Sequence, residues 1–283
     1  MKKSFLTLFI LLFLNILALP FVLFLSSPAH LQVSFFDVGQ GDSIFIETPQ
    51  KHQVLIDGGP GYSKVLEGLS SAMPFWDKEI DLMILSHPES DHVTGLFSVL
   101  ENYKIDNILW TGIEKEGEKF ETWKRMIGKE GANVYYANLG DVVIMGDVVL
   151  EILSPKESLK GKEFEDSNET SIVSKLSYKD STFIFAGDIS SKTEKLLLNE
   201  NIDSDVLKVP HHGSKYSTSE DFLSKVNPLI SVIQVGKNSY GHPTEEVLTR
   251  LNNSGIKILR NDTNGNIKIV SDGNNYKIIT SKK

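Results

Sequence analysis

The chain has 283 residues, with 29 Lys and Arg against 37 Asp and Glu, for a formal net charge of −8. At 40% hydrophobic and 23% charged residues it has the composition of a packed domain rather than a disordered chain. With no cysteine, disulfides, thiolate zinc sites, iron–sulfur clusters and a cysteine nucleophile are excluded, so any metal must rest on His, Asp or Glu.

Residues 5–25 are almost continuously apolar, interrupted by Thr7, Asn15 and Pro20, and they follow Lys2 and Lys3. About 20 apolar residues suffice to span a bilayer as a helix, and positive flanks stay cytoplasmic. Two readings fit: a retained membrane anchor through residues 4–25, or a signal peptide ending at Ser27-Pro28-Ala29. Either divides the chain into an N-terminal segment, 1–29, and a domain over 30–283 on the extracytoplasmic side. A buried core helix fits less well, because the run has no polar face.

Residues 31–38 form an apolar strand run that ends in Asp37-Val38-Gly39-Gln40-Gly41-Asp42. Residues 43–48 alternate apolar and polar, as a half-buried strand does. Strand 53–56 stops at Asp57-Gly58-Gly59-Pro60, and 64–72 reads as a helix. Strand 82–85 runs into Ser86-His87, with a helix over 93–100. Strands follow at 108–110, 133–136, 148–153, 171–178 and 182–186. Helices are expected over 118–130 and 192–199, with a polar surface loop at 161–168. Strand 206–209 leads into Pro210-His211-His212-Gly213-Ser214. Helix 220–226, strand 229–235, helix 244–252 and strands 256–259, 266–270 and 276–279 complete the chain, the last two joined by a turn at Asp272-Gly273-Asn274-Asn275. Clustered strands, then strands alternating with helices, predict packed sheets with helices outside.

Four strand ends carry residues that a core would not choose. His87, Glu89, Asp91 and His92 fall within six residues; imidazole and carboxylate together suit zinc, manganese or iron. His87 and Glu89 can face one way from an extended turn while Asp91 and His92 diverge, which serves two neighbouring metals. Asp188 ends an apolar strand; alone it reads as a helix cap, beside the other motifs as a bridging ligand. His211 and His212 cannot point the same way from an extended chain, so one is a ligand; His211 is favoured, with His212 left open. His212 then supports it or donates a proton. Asn168-Glu169-Thr170-Ser171 reads as a turn or as a group orienting ligands. Asn238 to Pro243, with Asn238, Tyr240 and His242, is a cap loop or a polar substrate wall. Asp262 to Gly265 is most simply a turn.

In order, these motifs resemble the metallo-β-lactamase-like domain of the ComEC/Rec2 DNA-uptake proteins and their stand-alone relatives, over 31–279. The resemblance implies a four-layer αββα sandwich, of α/β class, with divalent metal at one edge. His87 and Glu89 would serve one ion, Asp91, His92 and His211 a second, and Asp188 would bridge them. Glu89 replaces the histidine usual in the wider superfamily, and Asn168 falls where a further histidine is expected. This oxygen-rich set shifts preference from zinc toward manganese or magnesium, with one or two ions per chain. A single apolar segment encodes no channel, so transport of DNA by this chain alone is not expected.

The reaction expected is hydrolysis of a phosphodiester, DNA above all. Asp91 would orient or deprotonate water, and His212 or His242 would protonate the leaving oxygen. Gln40, Asp42, Asn168, Ser214, Asn238 and Tyr240 would hold substrate. An esterase or lactonase on the same fold is the alternative, favoured by an apolar pocket near Trp76 or Trp110. A non-catalytic anchored binding module is the third.

Overall fold

In the short strand runs of this chain, alternate residues face opposite ways, and here both faces are covered. In β1 (Leu31–Phe35), β2 (Ile44–Glu47), β3 (Gln53–Ile56) and β4 (Glu79–Ile84), Val33, Ile46, Val54 and Ile84 pack inward against a second sheet. Phe45, Leu55 and Met83 pack outward beneath helices. Strand β2 is therefore buried on both faces, not half-buried as the alternation over 43–48 predicts, because helices cover the outer face of the sheet. The computed structural model describes residues 30–282 and, before them, Phe9, Phe13, Leu14 and Ile16 as helical positions. The expected anchor or signal segment, 1–29, otherwise lies outside the described residues, and among these no helix is long and apolar enough to cross a membrane.

The first sheet continues through β5 (Lys104–Trp110) and β6 (Asn133–Tyr136) and closes with β14 (Ile267–Ser271) and β15 (Tyr276–Thr280), in the order β15-β14-β1-β2-β3-β4-β5-β6. The second sheet holds β7 (Val142–Met145), β8 (Val148–Ser154), β9 (Val173–Tyr178), β10 (Ser181–Phe185), β11 (Val206–Lys208), β12 (Ile230–Ile233) and β13 (Lys257–Arg260), in the order β13-β12-β11-β10-β9-β8-β7. Three helices cover the first sheet: α1 (Tyr62–Ala72), α2 (Ser90–Asn102) and α3 (Glu118–Glu130). Three cover the second: α4 (Ser191–Leu197), α5 (Glu220–Val226) and α6 (Glu245–Asn253). A one-turn helix, α7 (Asn261–Asn264), carries the chain from β13 back to β14, at the place read as a simple turn. The result is the expected four-layer αββα sandwich.

Each sheet contains a run of parallel strands, β3 to β6 and β10 to β13. Parallel strands joined by helices end at one edge, and ligand sites form outside those carboxyl ends. Here β3, β4, β10 and β11 deliver Asp57, His87, Asp188 and His212 to a shared edge. Strand β7 was not anticipated: it is a four-residue edge strand with an alternating exposed face, enclosed by Gly-Asp pairs that read as loop.

Candidate metal centre

Three histidines converge with their Nε2 atoms inward. Their orientation follows from what each Nδ1 meets. The Nδ1 of His212 donates to the backbone oxygen of Gln234 at 2.8 Å; a carbonyl only accepts, so the hydrogen sits on Nδ1. The Nδ1 of His92 donates to Asp57 Oδ2 at 2.8 Å. Ser86 Oγ donates its one hydrogen to Asp57 Oδ2 at 2.6 Å, so it accepts from the Nδ1 of His87 at 3.0 Å. Each ring is thereby fixed in the tautomer that leaves an Nε2 lone pair for a metal. The Nε2 atoms of His87, His92 and His212 are buried without a hydrogen-bond partner.

Carboxylates complete the cluster. Asp188 Oδ2 lies 3.3 Å from Nε2 of both His92 and His212, and Asp91 Oδ2 lies 3.3 Å from His212 Nε2. Ligand atoms of His87, His92 and Asp188 fall within 4.8 Å of one another, as do those of Asp91, His92 and His212 and those of Asp42, Asp188 and His212. Buried polar atoms are normally satisfied, so orphaned imidazole nitrogens facing carboxylates are the donor set of a divalent cation. The residues present fit such an ion, and Asp188 stands between the two ligand groups.

Electrostatics agree with the geometry. Burial pulls the His92 and His212 imidazoles down. Asp188, with Asp57 beside His92 and Asp42 beside His212, outweighs burial and lifts both well above their usual value. Burial and the neighbouring His92 push His87 down to about 3. Against its own burial, Asp188 is held well below the usual carboxylate range by His212, His92 and Lys208. Asp91 is likewise lowered, against its burial, by the neighbouring His212 and His92 imidazoles.

The local backbone explains how these groups arrive. Asp57 follows β3 and accepts from Ser86 N at 2.8 Å as well as from Ser86 Oγ and His92. Its loop lies directly on α2: a Cβ on Gly95 would stand 1.9 Å from the Gly58 carbonyl oxygen, so only glycine permits that approach. Asp188 is not a helix cap, since Ser190 caps α4. Its amide donates to Ser171 Oγ at 3.1 Å, so the Asn168-Glu169-Thr170-Ser171 segment does orient a member of the cluster.

Several sequence assignments change. The sequence favours His211 as the ligand, yet His212 is the ring in the cluster. Both histidines have positive φ, 51° and 52°, and this left-handed turn reverses the alternation that an extended chain would give. His211 instead lines the cleft, its ring 5.6 Å from that of His242. With Nδ1 donating to a carbonyl and Nε2 in the cluster, His212 has no hydrogen to give a leaving group. Glu89 bonds Lys115 and Ser167 and belongs to none of the ligand groups. Asp42 is buried, paired with Lys208 and 3.4 Å from His212 Nδ1, and stands behind the cluster rather than on the cleft lining. Asn238 is consumed within its own loop, bonding the Gly236 and His242 carbonyls and the Tyr240 and His242 amides. Ser214 is buried and outside the cleft.

Two residues escaped assignment, Asp57 and Lys208. Lys208 is fully buried, donating to the Gly187 carbonyl at 2.8 Å and facing Asp188 Oδ1 at 3.4 Å. Its signal was a lysine inside the apolar run of β11. The cleft itself, about 240 Å³, is lined by Gln40, Glu89, Asp91, Asn168, Asp188, His211, His212, Tyr240 and His242, with no aliphatic side chain among them. Trp110 is buried in the core under the helices and Trp76 is exposed away from the cleft.

A family model described as the metallo-beta-lactamase superfamily matches residues 36–237. ComE operon protein 3 of Bacillus subtilis is 32% identical over 256 residues, covering 84% of this chain and 32% of that protein. Competence protein ComA of Neisseria gonorrhoeae is 31% identical over 237 residues, covering 82% of this chain and 31% of that protein. The chain thus spans about a third of the length of these relatives. The metallo-beta-lactamase fold protein YhfI of B. subtilis shares the fold, with a TM-score of 0.57 at 10% identity over 85% of this chain and 99% of that one. Sequence family, layer order and a donor set of histidines and aspartates at the shared strand edge all agree: the chain belongs to the metallo-β-lactamase superfamily, as a metal-dependent hydrolase fold related to the competence proteins.

Proposed function

We propose that the protein is a metal-dependent phosphodiesterase acting on DNA, held at the outer face of a membrane by residues 4–25. The observation that carries this reading is the lining of the cleft. A small ester, lactone or lactam with an apolar body needs an apolar wall. Here every lining side chain is polar or ionisable, which suits an anionic, hydrated backbone. Competence is what the name of the ComA relative records, and this favours DNA among phosphodiesters. A divalent ion, manganese or zinc or magnesium, supplies Lewis acidity and water of lowered pKa when bound.

The chain's own groups then divide the work. His87, His92, His212, Asp91 and Asp188 hold the ion or ions. Asp91, with about a third of its side chain exposed, is the carboxylate placed to orient water at the cleft. His242, which also lines the cleft, is the proton carrier. Burial, then His211 and His212, press its pKa below the usual value. A phosphate anion beside it acts in the reverse sense and favours its protonated form. Gln40, Asn168 and Tyr240 line the approach.

The test is turnover of a bis-aryl phosphodiester and of linear DNA with manganese, magnesium or zinc, beside a lactone and a lactam. Phosphodiester cleavage that falls at least about 100-fold in Asp188→Asn, with circular dichroism unchanged, is the expected result. Turnover of only the lactone or lactam would overturn the reading.

A further inference from the structure

Phe75 and Trp76 are 82% and 72% exposed, the most exposed aromatic pair among the described residues of the domain. Their rings meet edge to face, with centroids 4.9 Å apart. They occupy the tip of a closed turn between α1 and β4, in which Asp77 N donates to the Pro74 carbonyl at 3.0 Å. The turn is tied down, because Gln53 Nε2 donates to Asp77 Oδ2 at 2.7 Å. Two large apolar side chains are thus held in water by a braced backbone.

Strand register locates the pair relative to the rest of the chain. Gln53 is paired with Glu47, and Glu47 with Gln32. Gln53, which ties the turn down, therefore stands level with the second residue of β1, two strands or roughly 10 Å away across the sheet. Strands β1, β3 and β4 run in the same direction, so Leu31 enters the fold at the end that carries Phe75 and Trp76. The metal centre lies at the other end of these strands. The sequence leading into Leu31 contains the apolar run of residues 5–25.

We propose that Phe75 and Trp76 are a lipid contact: their turn sits in the interfacial region of the bilayer and sets the domain with its metal cleft facing away from the membrane. Tryptophan and phenylalanine on one turn partition into that region because it accepts an apolar body and a polar indole N–H together. The contact is aromatic rather than electrostatic. At this end Lys104 pairs with Asp106 at 2.9 Å and Glu79 at 3.5 Å, and Lys51 with Glu47 at 2.8 Å. Lys78 lies over the Tyr103 ring, 4.5 Å from its centroid. Binding by the turn therefore does not require anionic lipid. The proposal rests on the membrane attachment of residues 4–25 and not on the phosphodiesterase reading.

Tryptophan fluorescence tests it directly. The chain has three tryptophans; Trp110 and Trp123 are buried at 4% and 0% exposure, so quenching by lipid reports Trp76. The full chain is reconstituted in neutral phosphatidylcholine vesicles, with and without bromine on the upper acyl chain, beside Trp76→Phe. Flotation reports attachment, and phosphodiester turnover on the same vesicles reports the chemistry separately. The expected result is flotation of both proteins and loss of the Trp76 emission on bromination, as an aromatic residue at the lipid interface requires, absent in Trp76→Phe and unchanged by salt. Flotation without bromine quenching would place the pair in water, and blue-shifted emission without quenching would place it in a protein contact; either overturns the proposal, as does failure to float.

Discussion

Replacing His212 by Ala removes a ring whose Nδ1 hydrogen is fixed on the Gln234 carbonyl and whose Nε2 faces Asp91 and Asp188. Metal affinity should fall by at least about 100-fold, more than loss of a supporting group costs. His211→Ala should keep the metal, because His211 meets the cleft and not the cluster. Calorimetric titration of both variants with manganese or zinc checks the pair, and equal losses in the two would refute the assignment. The same geometry couples metal binding to protons. Asp188, with Asp57 and Asp42, raises His92 and His212 well above their ordinary value against burial, which favours the protonated rings when no metal is bound. A metal needs the Nε2 lone pair of each, and binding at pH 7 should release up to two protons. Affinity should then weaken by about tenfold per pH unit for each proton displaced as pH falls. Titrations in buffers of different ionisation enthalpy measure the release, and a buffer-independent heat would contradict it. Lys208 belongs to this balance. Its ammonium neutralises Asp42 and Asp188 from behind, and these carboxylates, after opposing its burial, raise its own pKa.

At the scale of elements, the loop that follows His212 is anchored by a buried carboxylate of α4. Glu194 of α4 is fully buried and accepts from the backbone amides of Thr218 and Ser219, at 2.8 Å for Ser219. Thr218 has a positive φ of 57°, and Ser219 caps α5, so this one side chain holds the loop that follows His212. Burial pushes the Glu194 carboxyl above its ordinary 4.5, the amide bonds opposing it. The folded state therefore binds more proton than the unfolded state from that value up to the raised one. Stability from this group is full below 4.5 and declines as pH rises through the folded pKa. Glu194→Gln keeps an acceptor and abolishes the titration. The stability difference between wild type and variant, from urea midpoints between about pH 4 and about pH 7, should shift toward the variant as pH rises; parallel curves would exclude it. Elements of this kind show unevenly in a sequence. The doubly buried strands and amphipathic α3 were legible because their period is written in apolar residues. The first half of β5, Lys104 to Asn107, carries one apolar residue in four and so no period, whereas β7 is apolar throughout but only four residues long between Gly140-Asp141 and Gly146-Asp147. The site was legible as a set of strand ends, but not as a geometry. Two consecutive left-handed residues exchanged the roles of His211 and His212, and Lys115 drew Glu89 aside across 26 residues of sequence.

On the scale of the molecule, the ligands come from both sheets. Strands β3 and β4 of the first sheet present Asp57, His87, Asp91 and His92; strands β10 and β11 of the second present Asp188, Lys208 and His212. The apolar layer between the sheets holds them together without regard to register at the edge, since hydrophobic contact is non-directional. At the edge, three buried nitrogens and an Asp42 oxygen have no hydrogen-bond partner, and carboxylates are gathered around imidazoles that must otherwise take up protons. A divalent ion bound there joins the two sheets and satisfies that edge only in the folded chain. Linkage then requires stabilisation of about 2.7 kcal/mol at a metal concentration of 100 times Kd. For a chain of this size that is a rise in Tm of about 5–10 °C over the chelator-treated protein. Calorimetry with manganese, zinc or EDTA measures it. Asp188→Asn should lose most of the rise, because Asp188 is the carboxylate that reaches ligand atoms of both sheets. His242→Ala, on the cleft wall, should retain the rise in full. A metal-dependent Tm that survives in Asp188→Asn and disappears in His242→Ala would move the centre out of the sheet edge and into the cleft.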